Sequence, residues 1–399
     1  MDHAAARKSW LCMNGMFAGD PETNRHGTEE KLLRKGGLLL GTSRINSLDG
    51  LRGIACVVVM LLHIGAAFHP LGDDFNYGLI PGTSSVLVFF ILSGIVLSLG
   101  PLKKESSGEG YGWFAYYPRR IARLYIPMLA AIAFGLVASL TAKLLGSTTS
   151  SAGAIDIEHG FAQALHDVLM QFDVFFNVGD DTYNLYGMRL LRVEPTIWSM
   201  SWELWFSMCL PFVIWCVLRI KKSSVALSAI AIAIFISAYT GYFPLRFCLL
   251  FVVGSLIALN FVRVSGLCLK APAELLLLAA AIVGMELPQI VTAPAASEAL
   301  AQTARHLAAM LIVVLAIAQG SVKRVLSHGI CCKLGTISYS LYLTHTILLG
   351  GLKYALPKLG ITGPWIQSAV TVAVSLAAAV VFWHFVERPS IKLSHEIGH

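Results

Sequence analysis

The sequence predicts an all-α fold, a polytopic membrane helix bundle of about ten transmembrane helices with its N- and C-termini cytoplasmic. Three observations carry the prediction. Of the 399 residues, 56% are apolar and only 13% are charged, where a soluble domain carries about 25% charged residues. Apolar runs recur at the length of about 20 residues that a hydrocarbon core about 30 Å thick requires. Lysine and arginine stand almost wholly between those runs. The same composition excludes a collagen-like or disordered chain, a small disulfide scaffold and a coiled coil.

Residues 1–45 are polar and basic and lack the basic, apolar, small-residue order of a cleaved signal. They are expected to form a mostly disordered cytoplasmic tail. Spans follow near 51–69, 84–100, 124–145, 196–218, 224–240, 245–262, 273–290, 300–319, 336–354 and 365–386, so 46–390 reads as one transmembrane domain and 391–399 as a short cytoplasmic tail. With the N-terminus inside, the cytoplasmic segments hold 23 of the 30 Lys and Arg, Arg52 included, and the opposite face holds five. That asymmetry is the positive-inside signal. It also accounts for the net charge of +7, which marks topology and not a nucleic-acid partner. The longest outer connection, 146–195, is acidic, with Asp156, Glu158, Asp167, Asp173, Asp180, Asp181 and Glu194; it either receives an outer substrate or merely connects. Eight cysteines without framework spacing read as small reduced hydrophobes.

An ionisable side chain inside an apolar span is costly and marks a functional candidate. His63 stands alone among the ionisable residues of 54–68. Arg52 precedes it by eleven residues, which places the two about 20° apart in helical phase and about 16 Å apart along the axis. One helix face therefore offers an anion anchor at the cytoplasmic mouth and a titratable base near the midplane. The competing reading is a structural histidine bonded to a carbonyl, with Arg52 snorkelling to lipid phosphate. Arg119, Arg120 and Arg123 form a cationic segment before the third span, suited to binding phosphate through paired donors, or simply anchoring the positive side. The fourth span opens Trp198-Ser199-Met200-Ser201-Trp202-Glu203. Glu203 there must be paired, protonated or wet. It orients an imidazole, acts as a base or holds a hydroxylated acceptor, or else pairs structurally with Arg246 or Arg305. The ninth span carries Ser338, Tyr339, Ser340, Tyr342, Thr344 and His345. For Ser338, Tyr339 and Tyr342, bonding between helices is the simpler reading.

Two further patterns are weaker than they look. His395-Glu396-Ile397-Gly398-His399 satisfies HExxH, but its second histidine is the final residue of a segment expected to fray, so no metal is assigned. Ser93-Gly94 lacks the flanking glycine of a nucleophile elbow and reads as close helix packing.

In their order, Leu48-Asp49-Gly50-Leu51-Arg52-Gly53 with His63, Phe89-Phe90-Ile91-Leu92-Ser93-Gly94, Arg119-Arg120-Ile121-Ala122-Arg123, Trp198-Ser199-Met200-Ser201-Trp202-Glu203, Ile337 to His345, and Glu387-Arg388-Pro389 resemble the acyltransferase-3 family of integral membrane O-acyltransferases. The resemblance runs from about Arg44 to Pro389. It implies a bacterial inner-membrane enzyme that moves an acyl group, often acetyl, from cytoplasmic acyl-CoA to a hydroxyl of an extracytoplasmic or lipid-linked carbohydrate. No permanently bound cofactor is implied. In the family's terms His63 is the catalytic base with Glu203 as a second catalytic group. Arg52, Arg119, Arg120 and Arg123 hold the coenzyme. Trp198, Ser338, Tyr342 and His345 are candidates for the acceptor site. A proton-coupled transporter or flippase using the same His and Glu residues is the alternative from another class. A haem protein ligated through His63, His345 or His384 is a third. The acceptor, the acyl length, the choice between direct transfer and an acyl-enzyme, and the oligomeric state, a homo-oligomer included, stay open.

Overall fold

The computed structural model describes residues 45–144, 161–175, 193–220, 222–290 and 295–397. The tail before residue 45, most of the acidic connection and the last two residues of the HExxH match lie outside the described residues. Among the described residues the regular elements are all helices, apart from one isolated bridge between Cys268 and Gln319. The helices are α1 Asn46–Phe68, α2 Gly82–Ser106, α3 Trp113–Leu144, α4 Phe161–Phe172, α5 Ile197–Met208, α6 Leu210–Val217, α7 Ser223–Thr240, α8 Phe243–Leu259, α9 Phe261–Ser265, α10 Ala271–Ile290, α11 Ala295–Ile317, α12 Ser321–Leu326, α13 Gly329–Lys358, α14 Pro364–Phe382 and α15 Arg388–Glu396.

Seven of the described helical segments are long and apolar enough to cross a membrane, and the bent pair α5 and α6 makes an eighth. The two remaining predicted spans are helical too. α8 is shorter, and α13 is made polar by the hydroxyl and imidazole groups it buries. Large apolar side chains lie exposed along these helices, as at Val137 (64%) and Leu276 (71%). Bands of that kind are stable only against hydrocarbon. The protein is an integral membrane protein.

α5 and α6 meet at an angle of 59°. Pro211 lacks the N–H that would bond Ser207 O, and a freed carbonyl in a membrane must find another donor. Tyr116 OH of α3 supplies it at 3.0 Å, and Tyr117 OH donates to Met208 O at 3.3 Å.

The chain forms two compact units. One comprises Gly50–Val86, Trp113–Met208 and Gly329–His399. Within it α1 and α13 run parallel and in register. A Cβ on Gly53 would lie 2.7 Å from Leu334 C, Cys56 Sγ donates to Ser338 O at 3.1 Å, and His63 meets His345 at 3.0 Å. Gly53, Cys56, Met60 and His63 repeat at 3-4-3 spacing, as do Gly335, Ser338, Tyr342 and His345. This is the seam of left-handed helix pairing, with glycine where the backbones come closest. α4 lies within the acidic stretch 146–195, which the sequence leaves as either a substrate-receiving loop or a connection. Tyr125 OH of α3 donates to Phe172 O at 3.0 Å, and Trp205 Nε1 donates to Phe175 O at 2.8 Å.

The other unit holds Leu87–Gly112 and Cys209–His328 with the first residues of α1. There α2 and α8 cross at Gly94 and Gly254, where a Cβ on either would approach the other's Cα to 3.0 Å or less. Ser98 Oγ donates to Ser255 Oγ at 2.8 Å beside the crossing. The Ser93-Gly94 pair thus serves close packing. Glu274 accepts from Ser321 N at 2.7 Å and Val322 N at 2.9 Å, satisfying the first donors of α12.

Arg388–Glu396 form helix α15, packed on α3 with Ser390 and Ser394 buried, so of the segment expected to fray the first two residues are helical and the last two lie outside the described residues. Arg119 Nε holds it by donating to Ile397 O at 2.7 Å.

Candidate active site

α1 places Arg52 and His63 on one face, as their spacing requires, because the helix runs unbroken from Asn46 to Phe68. Both are half-buried. His63 Nδ1 lies 3.0 Å from His345 Nε2, with the rings stacked at 5.2 Å between centroids. His345 is buried, and its Nδ1 lies 3.0 Å from both Leu341 O and Tyr342 O. Such a direct contact leaves no room for a porphyrin between the two imidazoles, and His384 is exposed, so the haem reading loses its ligand pair.

Arg120 and Glu203 form the second element of the site. Arg120 Nη2 donates to Glu203 Oε1 at 2.6 Å, and its Nε donates to Ser207 Oγ at 3.0 Å. Both side chains are mostly covered, at 10% and 14% exposure. Glu203 is thus paired with Arg120, a partner that the sequence did not suggest, and within the other unit Arg305 Nε donates to Met285 O at 2.9 Å. Arg123 lies within Coulombic range of Arg120, Arg52, Glu387 and Glu203. The arginines of α1 and α3 do gather, with two carboxylates among them. Arg119 turns away to the C-terminal helix.

Because Arg120 and Glu203 are largely shielded, removing one partner strands the other's charge. Arg120→Ala is expected to lower stability by roughly 2–3 kcal/mol, below the range for fully buried pairs because some water reaches both groups. Thermal unfolding in detergent checks this. The double variant with Glu203→Ala should recover part of the loss, whereas strictly additive losses would deny the coupling.

In the sequence Glu387 stands only as part of the Glu387-Arg388-Pro389 motif, and the structure makes it a central group. Pro389 cannot donate to Phe385 O, and the helix widens just before it, with Arg388 N–H bonding Trp383 O five residues back. The widened turn carries Glu387 inward. It is buried and accepts from Ser340 Oγ at 2.5 Å and Ser340 N at 3.2 Å, within Coulombic range of Arg52 and Arg123. Arg388 stacks outward over Trp383 at 5.7 Å. Glu194 is a second residue whose place the sequence did not reveal. Buried ahead of α5, it accepts from Thr196 Oγ1 at 2.6 Å and Thr346 Oγ1 at 2.9 Å, joining the start of α5 to α13.

The candidate acceptor residues are placed as follows. Ser338 Oγ donates to Gly335 O at 2.9 Å, and Tyr342 OH shares a hydrogen bond of 2.8 Å with Ser199 Oγ. Tyr339 OH donates to Leu124 O at 2.8 Å. Tyr339 and Tyr342 bond between helices, as the helix-bonding reading expected, whereas Ser338 bonds within its own helix. Trp198 is half-buried in the first turn of α5.

Apolar spanning helices around an imidazole pair and a gathered set of arginines and carboxylates define an integral membrane protein with an ionisable interior site. The chain belongs to the acyltransferase-3 family, whose profile, described as an acyltransferase domain, matches residues 45–384. It is a membrane acyltransferase. No curated protein and no solved structure matches the chain.

Proposed function

We propose that the protein is an O-acyltransferase of a bacterial inner membrane that moves an acetyl group from cytoplasmic acetyl-CoA to a hydroxyl of an extracytoplasmic or lipid-linked carbohydrate. The observation that carries the proposal is the placement of His63 on the same helix face as Arg52, with Arg123 and Arg120 within Coulombic range of Arg52 or of one another. Coenzyme A is a polyanion on a long thin arm. Arginines at the mouth suit its phosphates, while the arm reaches a midplane base about 16 Å farther in. The positive-inside asymmetry supports the mouth being cytoplasmic.

In this reading Arg52 and Arg123 hold the phosphates. Arg120, fixed by Glu203, sets the positive field without being released to the ligand. His63 takes the proton of the acceptor hydroxyl as its oxygen attacks the thioester carbonyl. When the tetrahedral intermediate collapses, the carbon–sulfur bond breaks. The thiolate then takes the proton back from His63, giving ester and free coenzyme A. Trp198 offers an aromatic face of the kind that stacks on a sugar ring.

The test is labelled acetyl-CoA presented to the protein in proteoliposomes together with extracted surface polysaccharide and glycolipid, with mass spectrometry locating any new ester. A carbohydrate ester and free coenzyme A are expected in equal amounts. Solute movement without consumption of acetyl-CoA would replace this reading with the transporter.

A further inference from the structure

We infer that His345 is the positioning residue of the site, and that it fixes His63 in the tautomer that carries its proton on Nδ1 and leaves Nε2 as the base. The inference rests on the acyl-transfer chemistry proposed above and assigns the atom that performs it. The reasoning starts from two carbonyls. Leu341 O and Tyr342 O both lie 3.0 Å from His345 Nδ1, and a carbonyl oxygen only accepts. His345 Nδ1 must therefore bear hydrogen, or three lone pairs would face one another inside the bundle.

His345 is 1% exposed, and its contacts are those two carbonyls, His63 and the ring of Tyr342. Among the described residues no carboxylate touches it to support a second proton, so it is neutral and its Nε2 is an acceptor. At 3.0 Å from that acceptor, His63 Nδ1 must be the donor. The neutral imidazole of His63 then has its lone pair on Nε2.

The sequence also explains why the orienting group is an imidazole. A carboxylate in this position would bring a permanent charge into the apolar interior at a large desolvation cost. A neutral histidine costs far less in the resting state. The hydrogen bond that its Nε2 accepts from His63 Nδ1 becomes charge-assisted only once His63 has taken the acceptor's proton. The stabilisation therefore appears in the transition state and not in the ground state. The two helices supply the geometry, because the parallel seam that begins at Gly53 and Gly335 delivers positions 63 and 345 to the same level.

The test combines nitrogen NMR of the histidine-labelled protein with kinetics of two variants. In the wild type, His63 should show a protonated Nδ1 and an unprotonated Nε2. His345→Leu should mix the two tautomers and lower kcat about 10²-fold with KM for acetyl-CoA unmoved, the signature of a lost orienting group. His345→Gln, whose Oε1 can reach the place of Nε2, should restore the tautomer and bring kcat to within about threefold of wild type. If His63 carries its proton on Nε2, or His345→Leu keeps kcat within about twofold, the inference is overturned. Should His345→Leu fail to fold, the wild-type tautomer and the Gln variant still decide it. The predicted tautomer in a protein that forms no ester would instead sink the acyl-transfer reading and leave the histidine pair standing.

Discussion

His63→Ala is expected to lower kcat about 10³-fold, a barrier increase of about 4 kcal/mol, while the protein still inserts, folds and binds acyl-CoA. The size follows from what the side chain supplies. It is the base in the proposed reaction, and its partner His345 keeps two hydrogen bonds to its own helix when His63 is removed. No other described imidazole contacts the pair to take over. The KM for acyl-CoA should hold because the arginines of α1 and α3 are untouched. Size-exclusion profiles and binding of labelled acyl-CoA separate lost chemistry from lost folding. Near-wild-type turnover in a well-folded His63→Ala protein would rule His63 out as the base.

The same variant bears on the route. If His63 is a nucleophile, rapid quenching with labelled acetyl-CoA before acceptor is added leaves label on the wild type and none on His63→Ala. If it is a base, neither protein retains label and the kinetics follow a ternary complex. The tautomer set by His345 makes Nε2 the reacting atom either way. The two routes differ in whether that lone pair meets a proton or a carbonyl carbon.

The bundle was legible in the sequence because a membrane span is written in composition, and composition survives without knowledge of partners. Arg52 and His63 were legible for a similar reason, since their relation lies within one helix and follows from helical phase alone. Pairings between helices were harder. For Glu203 the sequence offered Arg246 and Arg305 as ion partners, and only the crossing of α3 with α5 brings it to Arg120. Glu387 gave no sign of turning inward because its direction depends on the widened turn before Pro389. The helix α4 is only 12 residues long, too short to read as a span, and it lay unnoticed within a long acidic stretch. One long-range relation did leave a mark that a search for whole repeats passes over. Gly-x-x-Cys followed by His63 and Gly-x-x-Ser followed by His345 share their spacing, and two equal seams of that kind are what a parallel helix pair requires.

That seam yields the second large expected effect. Gly53→Val should reduce activity about 10²-fold with the protein still inserted, because an error of about 1 Å in placing reacting groups costs that much. On intrinsic propensity, replacing a helix glycine favours the helix by up to about 1 kcal/mol. Packing opposes it. Even a Cβ at position 53 would lie 2.7 Å from Leu334 C and 2.8 Å from Leu334 Cβ, and a backbone neighbour cannot rotate aside. α1 and α13 must then separate, and the separation is carried about 15 Å along the seam to the histidines. Gly351→Val on the same α13 is the control, since a Cβ there meets nothing within 4 Å. It should leave turnover and the His63 tautomer unchanged. Gly53→Val should lose both together, and a Gly53→Val protein with full turnover would show that the close approach of α1 and α13 does not hold the catalytic histidine in place.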